Sequence, residues 1–239
     1  MNSISHQEQQ KIWDKEHLNP HLLLPMHAQE ASSGVIQFWE WLRDKSESLH
    51  GIEMGCGKGR NSIWLAQQGI TMTGFDFSPV AIAEAKQRSH LAEIDKNITL
   101  LVHDAITTWP FKNESFDIAI DCFASTDIES STGRHFARDE FRRLLKPDGY
   151  LMVYTLSTED RFHQTLLEKF STEEKNAFLH PTTGKFEKVF DREELFDFYC
   201  DWNLVEERRI DKVATFFDKE YLCRHFWMIF QPKKQVSVQ

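Results

Sequence analysis

The chain has 239 residues, 41% of them hydrophobic, which is enough for one sizeable core and too little for two full domains, so a single domain over 1–239 is expected. With 37 acidic against 28 basic residues the formal charge is −9, which argues against a partner bound through a phosphate backbone, so no nucleic acid is expected. No apolar run approaches the roughly 20 residues needed to cross a bilayer, and the polar start Met1-Asn-Ser-Ile-Ser-His-Gln-Glu8 lacks a signal-peptide pattern. Cys56, Cys122, Cys200 and Cys223 are too scattered for a zinc site or a disulfide framework, so the expectation is a cytoplasmic protein with reduced thiols, no metal and no membrane partner.

In chain order, Trp13, His17, His21, Leu22 to Leu24 and His27 precede the first regular pattern, and residues 1–33 are expected to fold over a ligand pocket as a lid. Val35, Ile36, Phe38, Trp39 and Leu42 recur at helical spacing and are assigned to core packing. Leu49 to Met54 reads as a strand that runs into Glu53-Met-Gly-Cys-Gly-Lys-Gly-Arg-Asn61, followed by a helix over Arg60 to Gln68. Gly55, Gly57 and Gly59 permit backbone conformations closed to other residues and let the main chain approach a ligand. A dinucleotide-binding loop would carry Gly-x-Gly-x-x-Gly, but its third glycine position is Arg60 here, and the acidic Glu53 would repel a diphosphate while suiting a cationic group.

A second strand, Ile70 to Asp76, ends in an acid about twenty residues beyond the loop, the separation that brings a carboxylate to a ribose in α/β folds. Ser78-Pro79 supplies a cap and a favoured first residue for the next helix. Ile98 to His103 is a third strand, followed by Asp104-Ala105; Phe116 to Asp121 is a fourth, followed by Cys122-Phe123. Leu144-Leu-Lys-Pro-Asp-Gly149 predicts a type I turn into a fifth strand over Tyr150 to Leu156.

These five features, in this order over roughly residues 49 to 156, resemble the class I S-adenosylmethionine-dependent methyltransferases. The resemblance implies a Rossmann-like α/β three-layer sandwich with a seven-stranded, mostly parallel sheet whose last strand is antiparallel. It implies S-adenosylmethionine as methyl donor and S-adenosylhomocysteine as product, held by Glu53, Gly55, Cys56, Gly57, Gly59, Asn61, Asp76, Phe77, Ser78, Asp104, Ala105, Asp121, Cys122 and Phe123. In that scheme Glu53 meets the donor's ammonium, Asp76 the ribose, Phe77 and Asp104 the adenine, and Asp121 to Phe123 pass near the transferable methyl. Asp121-Cys-Phe-Ala124 lacks the Asp/Asn-Pro-Pro-Tyr/Phe sequence of enzymes that methylate nucleobase amines, which favours a small-molecule acceptor.

The cofactor-binding core is expected over 34–156, and the polar stretch 157–190, with Phe162, Phe170 and Phe178, is expected to be a helical insertion on the substrate side. Over 191–239, Asp191-Arg-Glu-Glu194 has a capping-box arrangement before a helix, and Leu204 to Ile210 and His225 to Phe230 supply strands six and seven. His135 and His163, which follow the fourth and fifth strands, are the candidate bases among 11 histidines. The acceptor atom (O, N or S) and the choice between monomer and homodimer stay open. A protein methyltransferase, a non-catalytic S-adenosylmethionine-binding regulatory module and a nicotinamide oxidoreductase are the alternatives.

Overall fold

The computed structural model describes residues 4–19, 30–44, 48–216 and 219–233. Helix α1 (His6–Leu18) is started by a reciprocal cap, Glu8 N donating to Ser5 Oγ at 3.3 Å and Ser5 N donating to the Glu8 carboxylate at 3.0 Å. Helix α2 (Ser33–Leu42) leads to β1 (His50–Met54), α3 (Arg60–Gln67), β2 (Thr71–Asp76), α4 (Pro79–Leu91), β3 (Ile98–Val102) and β4 (Phe116–Cys122). A 3-10 turn (Ser125–Asp127) precedes α5 (Ser131–Leu144), β5 (Leu145–Leu156), α6 (Arg161–Phe170), β6 (Ala177–Leu179), β7 (Phe186–Lys188), α7 (Arg192–Phe198), β8 (Trp202–Phe216) and β9 (Lys219–Pro232).

Seven of these strands form one sheet in the order β3-β2-β1-β4-β5-β9-β8, with β6 and β7 paired separately. The pairs β3 to β2, β2 to β1, β1 to β4 and β4 to β5 are parallel, while β9 is antiparallel to both β5 and β8. The expected fold and its antiparallel final strand are both present. Strand order reverses beside β1, where a crevice opens at the carboxyl ends of the strands.

Alternation along the strands sends side chains into two cores. On one face Ile52, Met54, Phe75, Ala119 and Val153 pack with Trp109, with Phe141 and Leu144 of α5 and with Leu195 of α7. On the other face Met72, Ile118, Ile120, Met152 and Trp227 pack with Val35, Phe38 and Leu42 of α2 and Leu65 of α3, which makes three layers. Each large apolar side chain buried this way contributes roughly 1.5–3 kcal/mol. The Trp227 indole also donates to Gly34 O at 2.8 Å, fastening α2 to the sheet.

Three local expectations change. Lys146-Pro-Asp-Gly149 is a bulge within β5 and not a turn before it: Phe116 pairs with Leu145, yet Ile118 pairs with Tyr150. The stretch 157–190 is helical only in α6, after which β6 and β7 form a hairpin, because Phe178 and Phe186 are drawn into buried positions by pairing. Strands β8 and β9 run well past the expected Leu204 to Ile210 and His225 to Phe230, into a long ribbon. His21, Leu22 to Leu24 and His27 lie outside the described residues. Among the described residues no helix is long and apolar enough to cross a membrane.

Candidate active site

A cavity of about 660 Å³ opens over the carboxyl ends of β1 to β5, within the usual size range for small-molecule sites. Its floor is the loop after β1. Gly55, Gly57 and Gly59 have φ of 62°, 52° and 79°, the left-handed region that favours glycine. A Cβ on Gly55 would sit 2.6 Å from Ala124 Cβ, so the bare backbone there is what lets the β1 and β4 loops close on each other.

Two buried carboxylates face the cavity. Asp76 accepts from Gly57 N at 2.9 Å and from Ser78 N at 2.8 Å, which ties the glycine loop to the end of β2. Burial pushes its carboxyl up to about 6 despite those two donors, so it gains from further hydroxyl donors. Glu53, 1% exposed, accepts from Asn61 Nδ2 at 2.8 Å and Ser62 Oγ at 2.5 Å, and burial raises its carboxyl too, which favours an incoming cation. Asn61 Oδ1 in turn accepts from Ser32 N at 2.8 Å, joining this corner to the start of α2.

Helix α1 lies across the cavity and contributes His6, Trp13 and His17 to its wall. Gln10 Nε2 donates to Phe77 O at 2.9 Å, and the His6 ring bridges Asp104 (2.7 Å from Nε2) and Glu129 (2.9 Å from Nδ1). At the opposite end Phe123 holds φ of 65°, its N–H donates to Tyr154 O at 2.8 Å, and its ring packs 4.5 Å from Tyr154 and 5.1 Å from His225. The Tyr154 hydroxyl is 3.1 Å from His225 Nδ1. Burial drives His225 down to about 3 and Tyr154 up to about 12, so both are neutral near pH 7. Cys122 is likewise pushed by burial to about 11 and is a thiol, not a nucleophilic thiolate.

Of the residues singled out in the sequence, Glu53, Gly55, Cys56, Gly57, Asn61, Asp76, Phe77, Asp104, Ala105, Cys122 and Phe123 line this one cavity. Gly59, Ser78 and Asp121 stand behind the wall. A Cβ on Gly59 would meet Ala85 and Ile63 at 3.1 Å, so its role is to let α3 and α4 approach. Ser78 caps α4 by accepting from Ala81 N at 3.2 Å and is hydrogen-bonded to Asp14. Asp121, 1% exposed, accepts from Ser125 N at 3.0 Å and shapes the turn after β4. Neither candidate base lines the cavity: His135 is held against Ser131 O at 2.8 Å and the Phe198 ring, and His163 faces Asp160 at 3.1 Å on α6.

Sequence reasoning misses Arg60, Asp127, Tyr154 and Lys212, all on the wall, and His6, whose position depends on α1. For Tyr154 a signal exists, since it is the register partner of Cys122 on β4. For Lys212 none does, because it lies on the part of the ribbon that extends beyond the apolar pattern of β8.

The glycine cradle, the acid at the end of β2 and the buried Glu53 fit a sulfonium nucleoside that brings two ribose hydroxyls and an ammonium group. Comparisons with known proteins point the same way. Residues 52–149 match the family described as "Methyltransferase domain". An uncharacterized protein of Haemophilus influenzae is 31% identical over 49% of this chain and 46% of its own length, so that match spans about half of each protein. The ubiquinone biosynthesis O-methyltransferase of Glaesserella parasuis is 28% identical over 95% of this chain and 94% of its own. In fold, an S-adenosylmethionine-dependent methyltransferase of Methanosarcina mazei superposes with a TM-score of 0.70 at 22% identity, covering 85% of this chain and 98% of that one. The matched domain and these relatives make the chain similar to the class I S-adenosylmethionine-dependent methyltransferases, and the sheet order agrees with their fold.

Proposed function

We propose that the protein transfers the methyl group of S-adenosylmethionine to a hydroxyl oxygen of a small molecule. The observation that carries this reading is a single cavity with two chemically distinct ends. One end has the glycine loop and two buried acids, and the other is walled by Phe123 and Tyr154, whose rings pack at 4.5 Å. Oxygen is favoured as the nucleophile by the likeness to the Glaesserella O-methyltransferase over nearly the whole chain, and a small acceptor by the net charge of −9, which is unsuited to nucleic acid.

In this reading Gly55, Cys56 and Gly57 lie against the donor, Glu53 meets its ammonium, Asp76 its ribose, and Phe77, Asp104 and Ala105 its adenine. Cys122 and Phe123 border the reacting centre. The donor supplies a methyl on a positively charged sulfur, so the protein's main task is to align the acceptor oxygen behind that carbon. Correct placement of this kind is worth roughly 7–11 kcal/mol of a barrier. We take residues 1–239 as one domain, in which α1 is a lid that excludes water, and place the reaction in the cytoplasm.

The test is incubation of the purified protein and S-adenosylmethionine carrying a labelled methyl with a metabolite extract, followed by mass identification of the labelled product. Label on a small-molecule oxygen is expected, with one S-adenosylhomocysteine formed per methyl. Label recovered only in protein, or no S-adenosylhomocysteine with any extract, overturns the reading.

A further inference from the structure

The 3-10 turn after β4 places a carboxylate on the cavity wall that no part of the donor accounts for. Asp127 lines the cavity together with Ala124 and Ile128, its neighbours in the chain, and with Trp13 and His17 of α1. Its backbone is fixed at two points: its N–H donates to Ala124 O at 3.1 Å, and its carbonyl accepts from Gln9 Nε2 at 2.9 Å. Among the described residues no hydrogen bond reaches its carboxylate. Lys185 acts on that carboxylate through space, while its Nζ lies 3.0 Å from Glu187, 3.7 Å from Glu16 and 4.2 Å from the centre of the Trp13 ring. The backbone of Asp127 is therefore held firmly, while its carboxylate, with no hydrogen bond among the described residues, stands where the buried charges of α1 and the β6–β7 hairpin border the cavity.

The turn is also in the right place for chemistry. It follows directly on Cys122 and Phe123, which border the reacting centre in the function proposed above, and the present inference rests on that reading. Cys122 is a neutral thiol, His225 and Tyr154 are neutral and bonded to each other, and His135 and His163 are off the wall. A hydroxyl acceptor must still lose its proton.

We propose that Asp127 is the catalytic base that receives this proton. As the acceptor oxygen forms its bond to the methyl carbon, the carbon–sulfur bond breaks with its electron pair left on sulfur. The hydroxyl proton passes to the Asp127 carboxylate, and from there to solvent when the product leaves. The charged groups that act on this carboxylate are Glu16 from α1, Lys185 and Glu187 from the β6–β7 hairpin, and Asp121 from β4. Burial raises the Asp127 carboxyl well above the usual carboxylate range; Lys185 opposes the shift, and Glu187, Glu16 and Asp121 add to it. A carboxylate raised in this way holds a proton better than a surface one, which suits a base working near neutral pH. The same geometry restricts the acceptor to a protic nucleophile, because an acceptor already ionised would have its negative charge set against Asp127.

The test needs no acceptor. S-adenosylhomocysteine and sinefungin, the donor analogue with an ammonium-bearing carbon in place of the methylated sulfur, are titrated into wild type and the near-isosteric Asp127→Asn by calorimetry. A carboxylate beside the transfer position should make wild type favour sinefungin, and D127N should reduce that preference by about tenfold while leaving S-adenosylhomocysteine affinity unchanged. In wild type the preference should also shrink as pH falls through the titration of the carboxyl, with D127N lacking that component. An unchanged preference in D127N, or equal losses for both ligands, overturns the proposal. If wild type binds neither ligand, the underlying function fails first and this inference with it.

Discussion

The two ends of the cavity are built in different ways. In the function proposed above, the donor end is made by consecutive stretches of chain, 53–61, 75–77 and 103–106, each at or just after the end of a parallel strand. The acceptor end is assembled from segments far apart in sequence: α1, the turn at 125–127, Tyr154 of β5 and Lys212 of β8. Side chains spanning long separations hold it together, as when Gln9 bonds both Asp127 and Phe186. The difference shows which part of such a protein is fixed by local backbone geometry and which is set by tertiary packing.

The sharpest way to break the donor end is Gly55→Val. It combines a φ of 62° with a Cβ that would lie 2.6 Å from Ala124 Cβ. Strain and overlap each cost about 1–3 kcal/mol, so S-adenosylhomocysteine affinity should fall by more than ~100-fold and Tm should drop. Gly57→Val should do less damage, since the nearest atom to its Cβ is His17 Cε1 at 3.6 Å and only the φ of 52° is strained. Calorimetry and thermal melts on both variants check this ranking, and equal losses would show that φ alone governs the loop.

Asp76→Ala is expected to weaken donor binding by about 10–100-fold while the domain stays folded. The pH dependence separates its two roles. With the folded carboxyl at about 6 against an ordinary aspartate value of 3.8, folded protein holds the proton longer, so Asp76 makes stability fall as pH rises from 3.8 through 6. The full penalty is of order 1–3 kcal/mol, and D76A lacks it while leaving Gly57 N and Ser78 N without their acceptor. The stability gap between wild type and D76A should therefore narrow from pH 4 to pH 7 in denaturant titrations. A gap that widens would mean that the carboxyl is not raised in the folded protein.

The same contrast explains what can be read in advance. Strands β1 to β4 and the helices between them follow from apolar runs, glycines and caps within a few residues of each other, so the sheet and most of the donor wall are legible in the sequence. Gly59, Ser78 and Asp121 neighbour the wall in sequence and so are expected on it, yet each side chain, or its absence, supports the backbone from behind. Which way a residue faces at a strand end is decided by the elements packed on it. The β6–β7 hairpin is mistaken for helix because its strands have only three residues each, too short for a period of two to stand out. Asp127 gives no signal at all. It becomes informative only when α1 and the hairpin close around it.

On the assembled side, Gln9→Ala removes three hydrogen bonds: its Nε2 donates to Asp127 O at 2.9 Å and to Phe186 O at 3.0 Å, and its Oε1 accepts from Phe186 N at 3.0 Å. Leaving such groups unpaired costs about 1–3 kcal/mol each before water or relaxation compensates. The loss should fall on the docking of α1, with hydrogen exchange accelerated over 6–18 and unchanged in β1 to β4. Acceleration spread evenly over the sheet would show that α1 is part of the global folding unit, not a separately held lid.

His6 sets the finest test, because it links the two ends through α1. Its ring stands between Asp104, expected at the adenine, and Glu129 before α5, 2.7 Å and 2.9 Å away. Burial disfavours the imidazolium, but the Glu129 and Asp104 carboxylates outweigh it and raise the folded value above 6.5. A raised histidine contributes stability that is fully present below 6.5 and is lost as pH climbs through the folded value. With side chains 27% to 31% exposed at the Asp104 contact, the contribution is small, on the order of 0.2–1 kcal/mol. Protection of α1 against exchange, corrected for intrinsic rates, should therefore decline as pH rises above 6.5 in wild type and stay flat in His6→Gln. If both proteins decline alike, the latch lies elsewhere along α1, and the lid and the adenine site are independent of each other.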